Sequence, residues 1–243
     1  MMIERLLPDG KYQAGLYAQS YRILDAFSQF SLLFAGLLLP MFSKMLKTGE
    51  KIGELMKIAL SLLLTVSISL AVISYFFNKD IISLLYHDAD PASPKIFRII
   101  MIGYVGVSIS YIYGTLLTAN RNLKQLNLLA LITVAINITL NLLLIPRFKA
   151  VGAAIASLSS QSFYAISQVI LSHGVFKIQL SRLFLPRVAI FTTVVIVAAY
   201  YSVQHIKWFP ALLIVAGVIL VASVATGLLR PKEIWRILSE KAS

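Results

Sequence analysis

Seven stretches of this sequence run for roughly 20 residues almost without charge, the length a helix rising 1.5 Å per residue needs to cross a hydrocarbon core about 30 Å thick. They fall at approximately 14–43, 58–77, 97–119, 124–145, 150–173, 187–204 and 209–229. In lipid, such stretches have to satisfy their backbone groups internally, as helices or as a closed barrel. Strict alternation of apolar and polar residues is lacking, so helices are expected. Composition agrees: 58% hydrophobic and 13% charged residues over 243, with a mean hydropathy of +0.83, exclude a water-soluble domain. The fold class is all-α integral membrane, in a single membrane domain over 1–243. Between the spans lie turn signals: Thr48-Gly49, residues 88–94, Asn120-Arg121-Asn122, Pro146, Gly174, Pro186, Pro210 and Pro231. Residues 1–13 are short and charged and the first apolar run is far longer than a secretory h-region, so no cleavable leader is expected.

The chain carries 22 Lys+Arg against 10 Asp+Glu, a net charge of +12. A nucleic-acid partner is not implied, because the basic residues sit between apolar runs and form no dense patch. The partner is the lipid bilayer, where positive residues in short loops mark the cytoplasmic side. One set of ends holds roughly thirteen Lys/Arg, among them Lys44, Lys47, Lys51, Arg121, Lys124, Arg182 and Arg187; the other holds about eight and includes Asp80, Asp88 and Asp90. The N-terminus is therefore expected outside and the C-terminus inside. Arg147 and Lys149 fall on the side this reading makes exterior. The segment 232–241, with Trp235 among charges, reads as an amphipathic helix in the interface.

Polar residues inside spans form stripes, and stripes of that kind face protein or a hydrated cavity. Arg22, Asp25 and Gln29 follow helical spacing on the first span, with Tyr21 and Ser28 beside them. The third carries Tyr104, Ser108, Tyr111, Thr115 and Thr118, the fourth Thr133, Asn137 and Asn141, and the fifth Ser157, Gln161, Tyr164 and Gln168. Spans six and seven have no such stripe. Spans one, three, four and five are expected to surround a polar cavity, with the last two peripheral. The domain then divides into five helices over 1–173, four of them around the cavity, and, over 174–243, two outlying helices and a basic tail. Arg22, Asp25, Gln29, Tyr104, Tyr111, Asn137, Asn141, Gln161 and Tyr164 are the candidate substrate-binding residues. The plainer reading is that Ser, Thr, Asn and Gln simply join helices by hydrogen bonds. Gly103, Gly106 and the small residues from Gly152 to Ser160, Ser159 included, mark close packing.

Arg22 and Asp25 are the only oppositely charged pair inside a span. They either pair locally at the outer headgroups or face the cavity, where the Arg22 fork would clamp a phosphate and Asp25 would hold it in place or take a coupling cation. Pro40 removes a backbone bond near the inner end of the first span, so a kink or hinge is expected there.

No enzyme constellation is present, and neither a metal site nor a cofactor is expected. Cysteine is absent, and His87 in its acidic loop has no second ligand at metal spacing. No G-x-x-x-x-G-K-[ST] run occurs, and the longest outer loop, 78–95, lacks the chemistry of a lipid-facing synthase.

Ala14-Gly15-Leu16-Tyr17 through Tyr21-Arg22-Ile23, then Leu37-Leu38-Leu39-Pro40 and Ser43, resemble the eighth helix of the polysaccharide and lipid-linked oligosaccharide flippases of the multidrug/oligosaccharidyl-lipid/polysaccharide exporter superfamily. Leu117-Thr118-Ala119-Asn120, Leu123-Lys124, Asn137, Asn141, Ile145-Pro146 and Val151-Gly152-Ala153-Ala154-Ile155-Ala156 are similar to the region of helices ten to twelve. The resemblance covers most of 14–168 and implies helices 8–14 of a MATE-like, two-lobed exporter, O-antigen flippase-like. It implies that a lipid-linked oligosaccharide for polysaccharide or lipopolysaccharide synthesis crosses a bacterial inner membrane by alternating access. It also implies a missing N-terminal lobe, in the same gene product or a partner chain, and favours Arg22 as a contact to the anionic headgroup. A multidrug or cation antiporter lobe with Asp25 as ion carrier, and a non-transporting assembly subunit, are the rivals.

Overall fold

The computed structural model describes residues 2–86, 90–176 and 182–229. These form α1 (Met2–Leu6), α2 (Gly10–Thr48), α3 (Gly53–Phe76), α4 (Asn78–Leu85), α5 (Ser93–Ala119), α6 (Leu123–Phe176), α7 (Phe184–His205) and α8 (Trp208–Ala225). His87, Asp88 and the 232–241 segment lie outside the described residues. Six of the helices are long and apolar enough to cross a membrane. α6, at 54 residues, would extend about 80 Å at 1.5 Å per residue, more than twice a hydrocarbon core. It divides at Lys149, whose φ of 51° and ψ of −135° are not helical, into arms 123–148 and 150–176. Asn137 Nδ2 donates to Ser160 Oγ at 2.9 Å. These residues lie almost equally far before and after Lys149, so the arms fold back on each other. With the arms counted separately, the described residues hold seven helical segments of spanning length, matching the seven apolar runs.

The corner lies just past Pro146, not at it. Proline removes one bond from the last turn of the first arm, and the chain turns at Lys149. Gly152 completes the turn, because a Cβ there would collide with the Leu144 carbonyl. Pro40, by contrast, does not break its helix. α2 runs unbroken from Gly10 to Thr48. Beyond it, Gly49 (φ 74°) takes the left-handed cap that only glycine adopts without strain. Residues 78–85, expected as loop, form α4, which inserts the fully buried Ile82 beside Ile96 and Phe97.

α5 is the hub, packed against α2, α3, α4 and α6. Its approach to α6 depends on small residues: a Cβ on Gly103 would stand 3.8 Å from Leu158 Cα, and one on Gly106 3.4 Å from the Gln161 carbonyl oxygen. Close backbone contact is what holds helices together where lipid removes the hydrophobic drive. Ser159 is exposed and takes no part. One apolar cluster gathers Leu38 and Phe42 of α2, Met56 and Leu63 of α3, Ile112 and Leu116 of α5, Phe191 and Val195 of α7 and Val215 of α8. The other joins α1, the first half of α2, α4, α5 and the α6 corner. α7 and α8 pack on each other and reach the bundle chiefly through α3.

At one end of the bundle, polar side chains tie the start of α2 to the α6 corner. Lys149 Nζ lies 2.9 Å from Asp9 Oδ2, Gln13 Nε2 donates to the same carboxylate at 2.9 Å, and Tyr12 donates to Asp90 at 2.6 Å. The opposite end carries Lys44, Lys47, Arg121, Lys124 and Arg187.

Candidate functional site

Part of each polar stripe, from α2, α5 and both arms of α6, lines one cleft with two chambers. In the first, about 550 Å³, Tyr17, Tyr21, Asp25 and Ser28 of α2 face Gly103, Val107 and Tyr111 of α5, and Thr133, Asn137, Ser157, Ser160 and Gln161 of α6 complete the lining. The second, about 500 Å³, lies toward Thr118 and is lined by Leu32, Gly36 and Leu39 of α2, Ser110, Tyr111, Gly114 and Thr115 of α5, and Gln161, Tyr164 and Gln168 of α6. Val107, Tyr111 and Gln161 belong to both, so the chambers are continuous. Positions 17, 21, 25, 28 and 32 on α2 and 103, 107, 111, 114 and 118 on α5 follow the three-or-four spacing that puts side chains on one helical face.

Hydrogen bonds hold the cleft open to a fixed shape. Tyr17 Oη and Ser157 Oγ, 2.8 Å apart, join α2 to α6. Asn141 donates to Asn137 Oδ1 at 2.8 Å, fixing the amide whose Nδ2 reaches Ser160. Tyr17 and Tyr21 stack with centroids 5.6 Å apart, presenting an aromatic platform beside Asp25.

Of the nine candidate residues, the structure places Asp25, Tyr111, Asn137, Gln161 and Tyr164 on the lining. Asn141 is 9% exposed and stands behind Asn137. Tyr104 is not on the cleft. It is wholly buried between α5 and α2, 2.8 Å from Ser31 Oγ, and donates to the Phe27 carbonyl at 2.9 Å. Arg22 and Gln29 are exposed on the neighbouring face of α2 and line neither chamber. No ion pair joins Arg22 to Asp25. Asp25 is the single charged side chain among the described lining residues. Tyr17 was legible only as part of the Ala14-Gly15-Leu16-Tyr17 stretch and not as a lining residue, and Ser110 gave no signal because it falls between the stripe positions Ser108 and Tyr111.

A family model described as "Lipid II flippase MurJ" matches residues 14–219, which takes in α7 and most of α8 beyond the stretch carrying the resemblance. No curated protein matches the chain. A flippase moves a lipid-linked precursor across the membrane and transforms no substrate, so the chain is a transport protein, not an enzyme, and a multi-pass one of the cell membrane. With its match covering both the cleft-forming helices and the α7–α8 pair, the chain belongs to the MurJ lipid II flippase family.

Proposed function

We propose that the cleft holds the sugar and pyrophosphate headgroup of a lipid-linked oligosaccharide while the lipid tail stays in the bilayer, and that a second lobe completes the cavity and rocks against this one. The second lobe is either part of the same gene product or a partner chain. The observation that carries the reading is a continuous cleft between α2, α5 and α6, apolar over most of its surface but set with polar side chains, in a bundle whose outer faces present Leu33, Leu131, Leu143 and Ile170. Polar groups facing inward and apolar groups facing lipid are the arrangement a membrane needs to admit a hydrophilic headgroup. Arg22, exposed beside the cleft, would meet a phosphate at the boundary with the second lobe. In the orientation that the loop charges favour, Asp9, Asp90 and Lys149 lie outside and Arg121 inside the bacterial inner membrane.

The test is flipping in proteoliposomes that hold this chain together with the completing lobe. A fluorescent undecaprenyl diphosphate disaccharide would become accessible to an external quencher faster than in vesicles without the chain. Rates equal to those of empty vesicles would overturn the reading. A second reading rests on Asp25, the single charge on the lining: it would bind the coupling proton or cation, in a flippase or in an antiporter of the same fold.

A further inference from the structure

The chamber toward Thr118 carries no carboxylate, ammonium, guanidinium or imidazole among its described lining residues. It nevertheless contains two polar atoms that the fold leaves unpaired. Gln168 Oε1 and Ser110 Oγ are both buried, and neither has a hydrogen-bond partner among the described residues. Gln168 is 1% exposed. A fold avoids burying an amide oxygen without a partner unless something else satisfies it.

The amide lies across from Gly114, where a Cβ would stand in van der Waals contact, 3.4 Å from both Nε2 and Oε1. Tyr111, Gln161 and Tyr164 add two aromatic rings and a second amide to a wall otherwise built largely from Leu32, Leu39, Val107 and Leu126. A phosphate calls for a cation and a metal ion for carboxylates, and the described lining holds neither. An uncharged, hydroxyl-rich ring fits, because each hydroxyl both donates and accepts, and its C–H faces pack on tyrosine rings.

We propose that this chamber is a saccharide subsite in which Gln168 Oε1 accepts from a sugar hydroxyl or N-acetyl N–H and the Ser110 hydroxyl pairs with a neighbouring group. The proposal rests on the lipid-linked oligosaccharide reading and adds to it a division of labour: the neutral sugar is read here, and the charged pyrophosphate is held elsewhere.

The experiment measures binding to the full chain purified together with the completing lobe in lipid nanodiscs, with undecaprenyl diphosphate bearing a disaccharide and bare undecaprenyl diphosphate as the two probes. Wild type should prefer the glycosylated probe. Gln168→Met, of similar length but without the carbonyl oxygen, should weaken that probe roughly tenfold, as loss of one hydrogen bond implies, and leave the bare one unchanged. Its melting temperature should hold or rise, since an orphaned polar atom is gone, whereas an amide that merely joins helices would destabilise the chain on removal. Gly114→Val, whose two further carbons crowd the amide without removing a polar group, should give the same selective loss. Equal binding of both probes by wild type overturns the subsite, as does a variant that keeps the preference, which would mean that water satisfies Gln168. Binding of neither probe would defeat the oligosaccharide reading itself, and the subsite with it.

Discussion

Lys149 Nζ sits 2.9 Å from Asp9 Oδ2, joining residues 140 positions apart at the one non-helical point of α6. Gln13 reinforces the contact: its Nε2 donates to the same carboxylate, and its Oε1 accepts from the Ala150 N–H at 3.4 Å. The corner between the α6 arms is thus fastened to the first turn of α2, and the arms that line the cleft are fixed relative to the helix opposite them.

Two substitutions at the corner separate strain from pairing. The Lys149 backbone occupies a region that suits glycine, at a cost of about 1–3 kcal/mol for a residue with a side chain. Lys149→Met keeps the strain and loses the pair, so its melting temperature in detergent should fall. Lys149→Gly loses both, and should melt above the Met variant. Equal melting of the two would show that the corner is not strained.

Acid should loosen the same end. The hydrogen bond from Lys149, then that from Gln13, holds the Asp9 carboxyl below its ordinary value of 3.8. Tyr12 and then the Ala92 N–H do the same for Asp90. A carboxyl depressed in the folded state contributes stability that is present above its unfolded pKa and lost as pH falls through the folded one. Thermal stability should therefore change little on this account from neutral pH down to about 5 and decline below about 4. Asp9→Asn should flatten part of that decline, and an unchanged acid limb would argue against the contribution of this pair.

The spans and the cleft were legible because a bilayer imposes both a length and a polarity rule on every helix. Of the α5 stripe read from the sequence, Tyr111, Thr115 and Thr118 reach the cleft, whereas Tyr104 and Ser108 are buried against α2. The Asn120-Arg121-Asn122 turn was legible too, closing with Arg121 at φ 61° and Asn122 N–H donating to Leu117. Other features needed the third dimension. α4 is eight residues long, too short for a periodic signal. Tyr104 and Tyr111 share a stripe, yet one points at α2 and the other at the cleft, a difference set by how deeply α5 is embedded. Lys149 counted against the charge-derived orientation, although its ammonium is paired with Asp9 at the end of the bundle it shares with Asp90.

Those two tyrosines should behave oppositely when each loses its hydroxyl. Tyr104→Phe abandons the Phe27 carbonyl and Ser31 in a dry interface, which should cost about 1 kcal/mol of stability without altering substrate affinity. Tyr111→Phe should leave stability nearly unchanged and weaken binding of the glycosylated lipid. Thermal melts and binding isotherms on the pair check both halves.

Gly106 sets the distance between α5 and the second arm of α6. A methyl group there would lie 3.4 Å from the Gln161 carbonyl oxygen, tight but tolerable, so Gly106→Ala should be close to neutral. Gly106→Val puts two further carbons into the contact and should cost about 1–3 kcal/mol by overpacking. A valine variant with the melting temperature of wild type would mean that the helices are free to move apart.

Arg22 and Asp25 lie within one turn of α2 but do not pair, so their roles are separable. Arg22→Ala should sharply reduce glycolipid flipping by the complete exporter at normal expression. Arg22→Lys should restore only part of it, since an ammonium keeps the charge but not the two-pronged grip on a phosphate. Asp25→Asn keeps the shape of the cleft and removes its charge. If Asp25 carries a coupling ion, flipping by this variant should lose its dependence on an imposed pH or Na⁺ gradient while equilibrium binding of the glycolipid survives. Unchanged gradient dependence in Asp25→Asn would remove the coupling role, and unchanged flipping in Arg22→Ala would move phosphate recognition off α2 altogether.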